Sequence, residues 1–217
     1  MKRLVQLSFV VVGALVVTSC GTTTNITGSW KKPGASVSSF KTVFVSALTT
    51  NVPAKSAVEN GLQKMLEPRL KVYKSIDAFP PNFETANTKN PKAILDRIKQ
   101  TSDADVIMTV ALVDKETEER YVPGSFAYDP LLRFGYYGRY SLYWGYRAPL
   151  YFDPGYYVTY KTYYLETNLY DAKTEELIWS AQSATYNPSN MNDFLKGYLK
   201  SIEKKLISDG VIGKQSA

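Results

Sequence analysis

Histidine is absent from the 217 residues, and cysteine occurs once. Without imidazole there is no Ser-His-Asp triad, no Cys-His pair and no imidazole base. A His-ligated metal is excluded, as is a thiolate-rich zinc site. One thiol closes no disulfide within the chain. Also missing are a Walker loop, a G-x-G-x-x-G turn and a G-x-S-x-G nucleophile elbow. Carboxylates can act without histidine, and Asp114, Glu116, Glu118 and Glu119 form a cluster of them. On a strand the first three share a face. No EF-hand spacing accompanies them, and nothing marks a partner of raised pKa for glycoside cleavage. A solvated strand edge that discourages aggregation explains them better. The expectation is a protein that is not an enzyme and carries no metal or cofactor, with a carboxylate-dependent hydrolase as the minor alternative.

Hydrophobic content of 44% and charged content of 21% are ordinary for one globular domain. The start of the chain is not ordinary. Met1-Lys2-Arg3 leads an apolar run from Leu4 to Val17, followed by Thr18-Ser19-Cys20. A basic start, an apolar stretch and small residues make up a secretory signal. The run has about 14 residues, short of the roughly 20 that span a bilayer. Val17-Thr18-Ser19-Cys20 resembles a bacterial lipobox, with the only cysteine at the position that is lipidated. Residues 1–19 are therefore read as a lipoprotein signal peptide and Cys20 as the lipid attachment point, which implies several acyl (palmitate-type) chains and a firm anchor. Gly21, where Asp retains lipoproteins in the inner membrane of enteric bacteria, favours the outer membrane and a body facing the periplasm. Loss of Lys2 and Arg3 lowers the formal charge from +6 to +4. An exported chain meets no nucleic acid, so this mild positive charge suggests weak attraction to anionic lipid or cell-wall polymer.

Residues 20–41, rich in Thr, Ser, Gly and Lys, read as a flexible tether with a docking strand around Ile26–Trp30. The domain is placed at 42–212. Thr42–Leu48 is a buried strand. Ser56-Ala-Val-Glu59 has capping-box form and should start a helix whose apolar face is Val58, Leu62, Met65, Leu66 and Leu70. Lys71–Ile76 is a strand and Asp77–Lys89 a loop. Asn90-Pro91 starts a second helix with Ile94, Leu95 and Ile98 inward. Asp103–Val113 is a central strand covered on both faces, and Asp114–Arg120 continues it as a charged edge. Thr159–Tyr170 and Leu177–Tyr186 are joined by a turn at Asp171. A last helix runs from Met191 to Asp209 with Leu195, Leu199, Ile202 and Leu206 inward, stopped by Gly210. On its outer face Lys196, Lys200 and Lys204 read as solvated. The order β-α-β-α-β-(insert)-β-β-α gives an α/β fold, a mixed β-sheet packed with three helices.

Thirteen of the 17 tyrosines fall between Tyr121 and Tyr164. Residues 122–158 form an insert in which 13 of 37 residues are aromatic, with five Gly, four Pro and neither Lys nor Glu. Long irregular segments inside a domain are usually functional. Three readings stand: a hairpin or lid packing on the body, a protein-contact surface, and stacking on cell-wall glycan or dipping into lipid headgroups, with arginines meeting phosphate or carboxylate. The candidate partner contacts are Tyr136, Tyr137, Tyr143, Trp144, Tyr146, Arg147, Tyr156 and Tyr157.

Two segments carry a resemblance. Ala93–Val113 has the form of a helix leading into Ala-Asp-Val-Ile-Met-Thr-Val, and Leu169–Ser180 has the form D-x-x-T followed by an apolar residue and Trp. With the Lys-rich final helix, they resemble envelope lipoproteins whose body is similar to the amino-terminal domain of TolB, including curli-assembly and penicillin-binding-protein activator lipoproteins. The likeness covers 42–121 and 159–210; the Tyr-rich insert departs from it. It implies a non-enzymatic envelope module. The insert adds the expectation that the module binds or assembles with a protein partner or, alternatively, binds cell-wall glycan.

Overall fold

A computed structural model of the chain describes residues 22–34, 40–80, 82–87, 89–122 and 156–213. Within these the elements are β1 (Thr23–Lys31), β2 (Thr42–Leu48), α1 (Val52–Leu66), β3 (Lys71–Lys74), α2 (Ser75–Ala78), α3 (Phe83–Ala86), α4 (Pro91–Thr101), β4 (Val106–Val122), β5 (Tyr156–Asp171), β6 (Leu177–Tyr186) and α5 (Met191–Ser208). One mixed six-stranded sheet has the order β1-β6-β5-β4-β2-β3. β3, β2 and β4 are parallel, as their intervening helices require. β4-β5, β5-β6 and β6-β1 are antiparallel.

Alternation along the strands sends two sets of side chains to two cores. Val43, Val45, Val106, Met108, Leu165, Leu169 and Trp179 pack beneath α1 and α5, with Leu62, Leu66, Tyr198, Ile202 and Leu206 above them. Phe44 and Ile107 point the other way, onto Phe79 and Ile98 of the α2–α4 side. Phe79 bridges Phe44 and Phe83, with ring centroids 5.6 and 5.3 Å apart. β4 is buried on both faces only at Val106–Met108, where β2 and β5 flank it.

The strands and long helices follow the expected order, with four corrections. The tether reading fails over β1, whose eight registered pairs with β6 run from Thr23↔Tyr186 to Lys31↔Trp179. The docking strand at Ile26–Trp30 is therefore the middle of a longer one. Apolar Ile26 packs on the core, and Thr24 meets Thr185 at 2.9 Å. The Ser56–Glu59 pattern does not start a helix. Asn51 caps α1 by accepting from the Ala54 N–H at 3.0 Å, with a proline in the first turn. Glu59 is instead drawn into the interior. β3 ends at Lys74, and the segment read as a loop holds the one-turn helices α2 and α3. These two turns bring the helices to five. The remaining ends are as expected. Asn90 accepts from the Ala93 N–H, Asp171 accepts from Lys173 and Thr174 in the hairpin turn, and Gly210, at φ +65°, ends α5 in a conformation that disfavours side chains. Lys196, Lys200 and Lys204 are exposed.

Candidate functional site

β4 and β5 outlast their neighbours. β4 leaves β2 after Ala111, and β5 is joined to β6 only from Thr162 onward. Between Thr117–Val122 and Tyr156–Lys161 the two strands pair with each other alone. At about 3.4 Å per residue this arm projects roughly 20 Å from the sheet. A two-stranded ribbon has little stability of its own, so its footing matters. A bulge between Leu112 and Asp114 lies at that footing and reverses which residues face which side.

The bulge gives the arm two unlike faces. On one, register places Lys115 with Tyr163, Thr117 with Lys161, Glu119 with Thr159 and Tyr121 with Tyr157. This face continues the side of the sheet that carries α5. It carries a Tyr121–Tyr157 pair with centroids 5.3 Å apart, the Lys115 ammonium 5.7 Å above the Tyr163 ring, and an edge-to-face contact of Tyr163 with Phe194 at 5.7 Å. The other face carries Asp114, Glu116 and Glu118. There the Tyr164 hydroxyl donates to Glu116 at 2.8 Å, and that bond is the main reason its pKa is pushed up to about 12. These carboxylates are solvated, as the sequence implies. Among the described residues no group of three or more carboxylate or thiol side chains is placed to hold a metal ion.

Of the eight residues singled out as partner contacts, Tyr156 and Tyr157 lie at the outer end of β5, 62% and 69% exposed. Tyr136, Tyr137, Tyr143, Trp144, Tyr146 and Arg147 lie outside the described residues, as does Cys20. The structure adds Tyr160, expected within a flanking strand, and Tyr121, which falls between the charged edge and the insert; their exposure follows from the arm outrunning the sheet.

The same end of the sheet collects other groups that the sequence did not flag. Leu48 ends β2, Val52 begins α1, Leu112 and Val113 form the foot of the arm, and Met191 begins α5, all exposed. A hollow of about 380 Å³ between them is lined by Leu48, Val58, Leu112, Lys161, Tyr163 and Met191, among others. The N-terminal end of β1 arrives here too. Thr22 lies over α5 where Gly197 leaves room: a Cβ at Gly197 would come within 2.7 Å of Thr24 Oγ1. Thr22, whose buried hydroxyl sits near Asp193 without reaching hydrogen-bonding geometry, and the N–H and hydroxyl of Ser189, which donate to it at 3.1 and 2.9 Å, hold the Asp193 carboxyl down to about 2. A depressed carboxyl favours the folded chain above its unfolded value near 4, and the benefit is lost as pH falls toward 2. We therefore expect the protection of amides in the first turn of α5 and at Thr22–Thr24, relative to their unstructured exchange rates, to fall on acidification from pH 4 to 2. In Asp193→Asn the same amides should exchange fast already at pH 5 and show no such step.

On the opposite face a cleft of about 740 Å³ opens between α4 and the sheet, walled by Phe79, Ile94, Leu95, Ile98 and Ile107, with Glu84 at its rim. Glu84 is committed elsewhere: it accepts from Ser46 at 3.0 Å and from the Lys55 ammonium at 2.7 Å.

No protein-family model matches the chain, and no curated protein matches it. Among solved structures, a single-substitution variant of the PelC dodecamer from Paraburkholderia phytofirmans is similar over 84% of this chain and 96% of its own, at 14% identity and a TM-score of 0.40. Lipoprotein GNA1162 from Neisseria meningitidis is similar over 77% of this chain and 99% of its own, at 11% identity and a TM-score of 0.38.

Proposed function

We propose that the chain is a lipid-anchored lipoprotein of the cell envelope, attached through Cys20 at the outer membrane and facing the periplasm. In this reading it is a non-catalytic binding or assembly module that engages a protein partner through the Tyr-rich hairpin. The observation that carries it is the β4–β5 arm, which stands clear of the sheet and ends in exposed Tyr121, Tyr156 and Tyr157. Tyrosine brings large apolar area and a hydrogen-bonding tip at low entropy cost, which suits a protein interface. The leader, the lipobox-like run before Cys20 and the lack of histidine support the address and the absence of turnover.

One experiment tests both parts. Cells expressing the chain with a photoreactive residue in place of Tyr157 are irradiated, with Cys20 intact or replaced by Ser. With Cys20 the protein should sediment with membranes and give a discrete protein adduct. In Cys20→Ser it should move to the soluble fraction and the adduct should weaken at least fivefold. Irradiation that yields no protein adduct would remove the partner reading, and a Cys20→Ser chain still bearing labelled fatty acid would remove the anchor.

A further inference from the structure

Where the apolar surface lies, relative to where the chain enters, is informative. Eleven large hydrophobic side chains are exposed among the described residues. Strand directions place ten of them at one end. β2 and β4 run toward this end, reaching Leu48 and Leu112–Val113; β6 runs toward it, ending at Tyr186; the arm beyond carries Tyr121, Tyr156, Tyr157 and Tyr160; α1 and α5 begin there with Val52 and Met191. Trp30 is the exception. β1 runs away from this end, so the N-terminal side of Thr23 lies at it, paired with Tyr186. Cys20 precedes Thr23 by three residues, which span at most about 11 Å whatever path they take.

We propose that this end of the sheet rests on the bilayer surface, with Val52, Leu112 and Met191 in the interface and the Tyr121–Tyr157 face of the arm at headgroup level. The inference rests on the reading of Cys20 as the lipidated residue, and names the surface that the anchor brings to the membrane. Scattered apolar side chains are normal on a protein surface, but ten gathered at one pole mark a contact. Their chemistry is that of an interface: aliphatic tips beside tyrosines, which favour the boundary between hydrocarbon and headgroups. Lys115 and Lys161 on the same face reach phosphates while their stems stay apolar. The bulge at the arm's foot turns Asp114, Glu116 and Glu118 to the opposite side, away from anionic lipid; Tyr156 and Tyr160 share that side, so Tyr121 and Tyr157 are the exposed tyrosines of the arm that face the bilayer. Of the acids that remain at this end, Asp193 is held by Ser189, Glu84 is paired with Lys55 and Ser46, and Glu119 is the one acid on its face of the arm. A partner engaged by the arm would then lie in or at the membrane.

Lipidation consumes the only native thiol, so an introduced cysteine can be labelled alone. The lipidated full chain carrying Val52→Cys, Met191→Cys, Lys64→Cys or Lys173→Cys is spin-labelled on vesicles of phosphatidylethanolamine and phosphatidylglycerol. The ratio of oxygen to nickel-chelate accessibility is then measured. Lys64 and Lys173 are exposed at the far end, in the last turn of α1 and in the β5–β6 turn. We expect the ratio at positions 52 and 191 to exceed that at 64 and 173 at least threefold. Four equal, water-like ratios would overturn the proposal. So would labels at 52 and 191 that become immobile without gaining oxygen access, which would mark a protein contact instead. Intact mass reports the lipid on Cys20 separately. If the residue is unmodified, the same four positions are measured in Cys20→Ser with vesicles added; a threefold difference there keeps the surface, and its absence ends the proposal.

Discussion

Replacing Glu59 by alanine should lower the unfolding free energy by about 3–5 kcal/mol, the largest cost expected of a single substitution in α1. Glu59 is fully buried, and each of its oxygens is occupied. Oε1 accepts from the Ala47 N–H at 2.9 Å and the Ser75 hydroxyl at 2.6 Å, and lies 3.3 Å from the Lys55 ammonium; Oε2 accepts from the Ile76 N–H at 2.9 Å. One side chain thus ties the end of β2, the start of α2 and the first turns of α1 together. Alanine leaves the buried Ala47 amide, the half-buried Ile76 amide, a hydroxyl and part of an ammonium unsatisfied, and such groups cost more orphaned than their bonds gain when made. Lys55 keeps the Ala47 carbonyl at 2.9 Å and Glu84 at 2.7 Å, so the knot loosens without emptying. The urea midpoint of Glu59→Ala should fall steeply with an unchanged m-value. Glu59→Gln retains the shape and some acceptor capacity and should cost less than half as much. Equal midpoints for wild type and Glu59→Ala would sink this account.

Trp179→Ala should cost a similar amount, about 3–5 kcal/mol, for a different reason. Its ring is fully buried between the sheet and α5, and removing it opens a void that rigid strands close poorly. Its indole N–H donates to Asp209 at 2.8 Å. Burial works against ionisation of Asp209, but the Lys205 ammonium at 2.8 Å and the indole bring its carboxyl below the usual range. The Asp209 carbonyl accepts from Lys31 at 2.8 Å, linking the end of β1 to the end of α5. Trp179→Phe keeps most of the volume and loses the indole bond, so it should cost about 1–2 kcal/mol beyond the change in ring size. Thermal melts of the two variants separate these contributions. If phenylalanine costs as much as alanine, the Asp209 bond rather than packing is the major part.

Periodicity revealed the parts of the fold that obey a single rule. The α5 stripe, the N-cap at Asn90 and the Asp171 turn are local patterns whose physics is complete within a few residues. Only the middle of β1, Ile26–Trp30, is legible, because Thr-Thr-Asn-Ile-Thr-Gly-Ser-Trp has the composition of a linker; its full length comes from pairing with β6, and pairing is not local. Glu59 misled for a related reason. The capping-box spacing is real, but buried donors from Ala47, Ser75 and Ile76 outbid the helix terminus for that carboxylate. At the candidate site, sequence composition pointed to the Tyr-rich segment and to Tyr156 and Tyr157. It did not reveal the pole formed by Leu48, Val52, Leu112 and Met191, since residues from four elements meet only after the sheet is assembled.

The edge position of β1 has a mechanical consequence. If the N-terminus is held at the membrane as proposed, tension on it enters at Thr23 and, when the body is held back by a load below that end, runs along the strand axis. The eight rungs with β6 then resist in shear, all strained together, where a pull across the strand would peel them off one at a time. The Lys31–Asp209 contact at the far end adds a stop against sliding. A segment composed like a slack leash is thereby built as a clamp, and force on the anchor reaches the sheet as a whole before it opens any single bond.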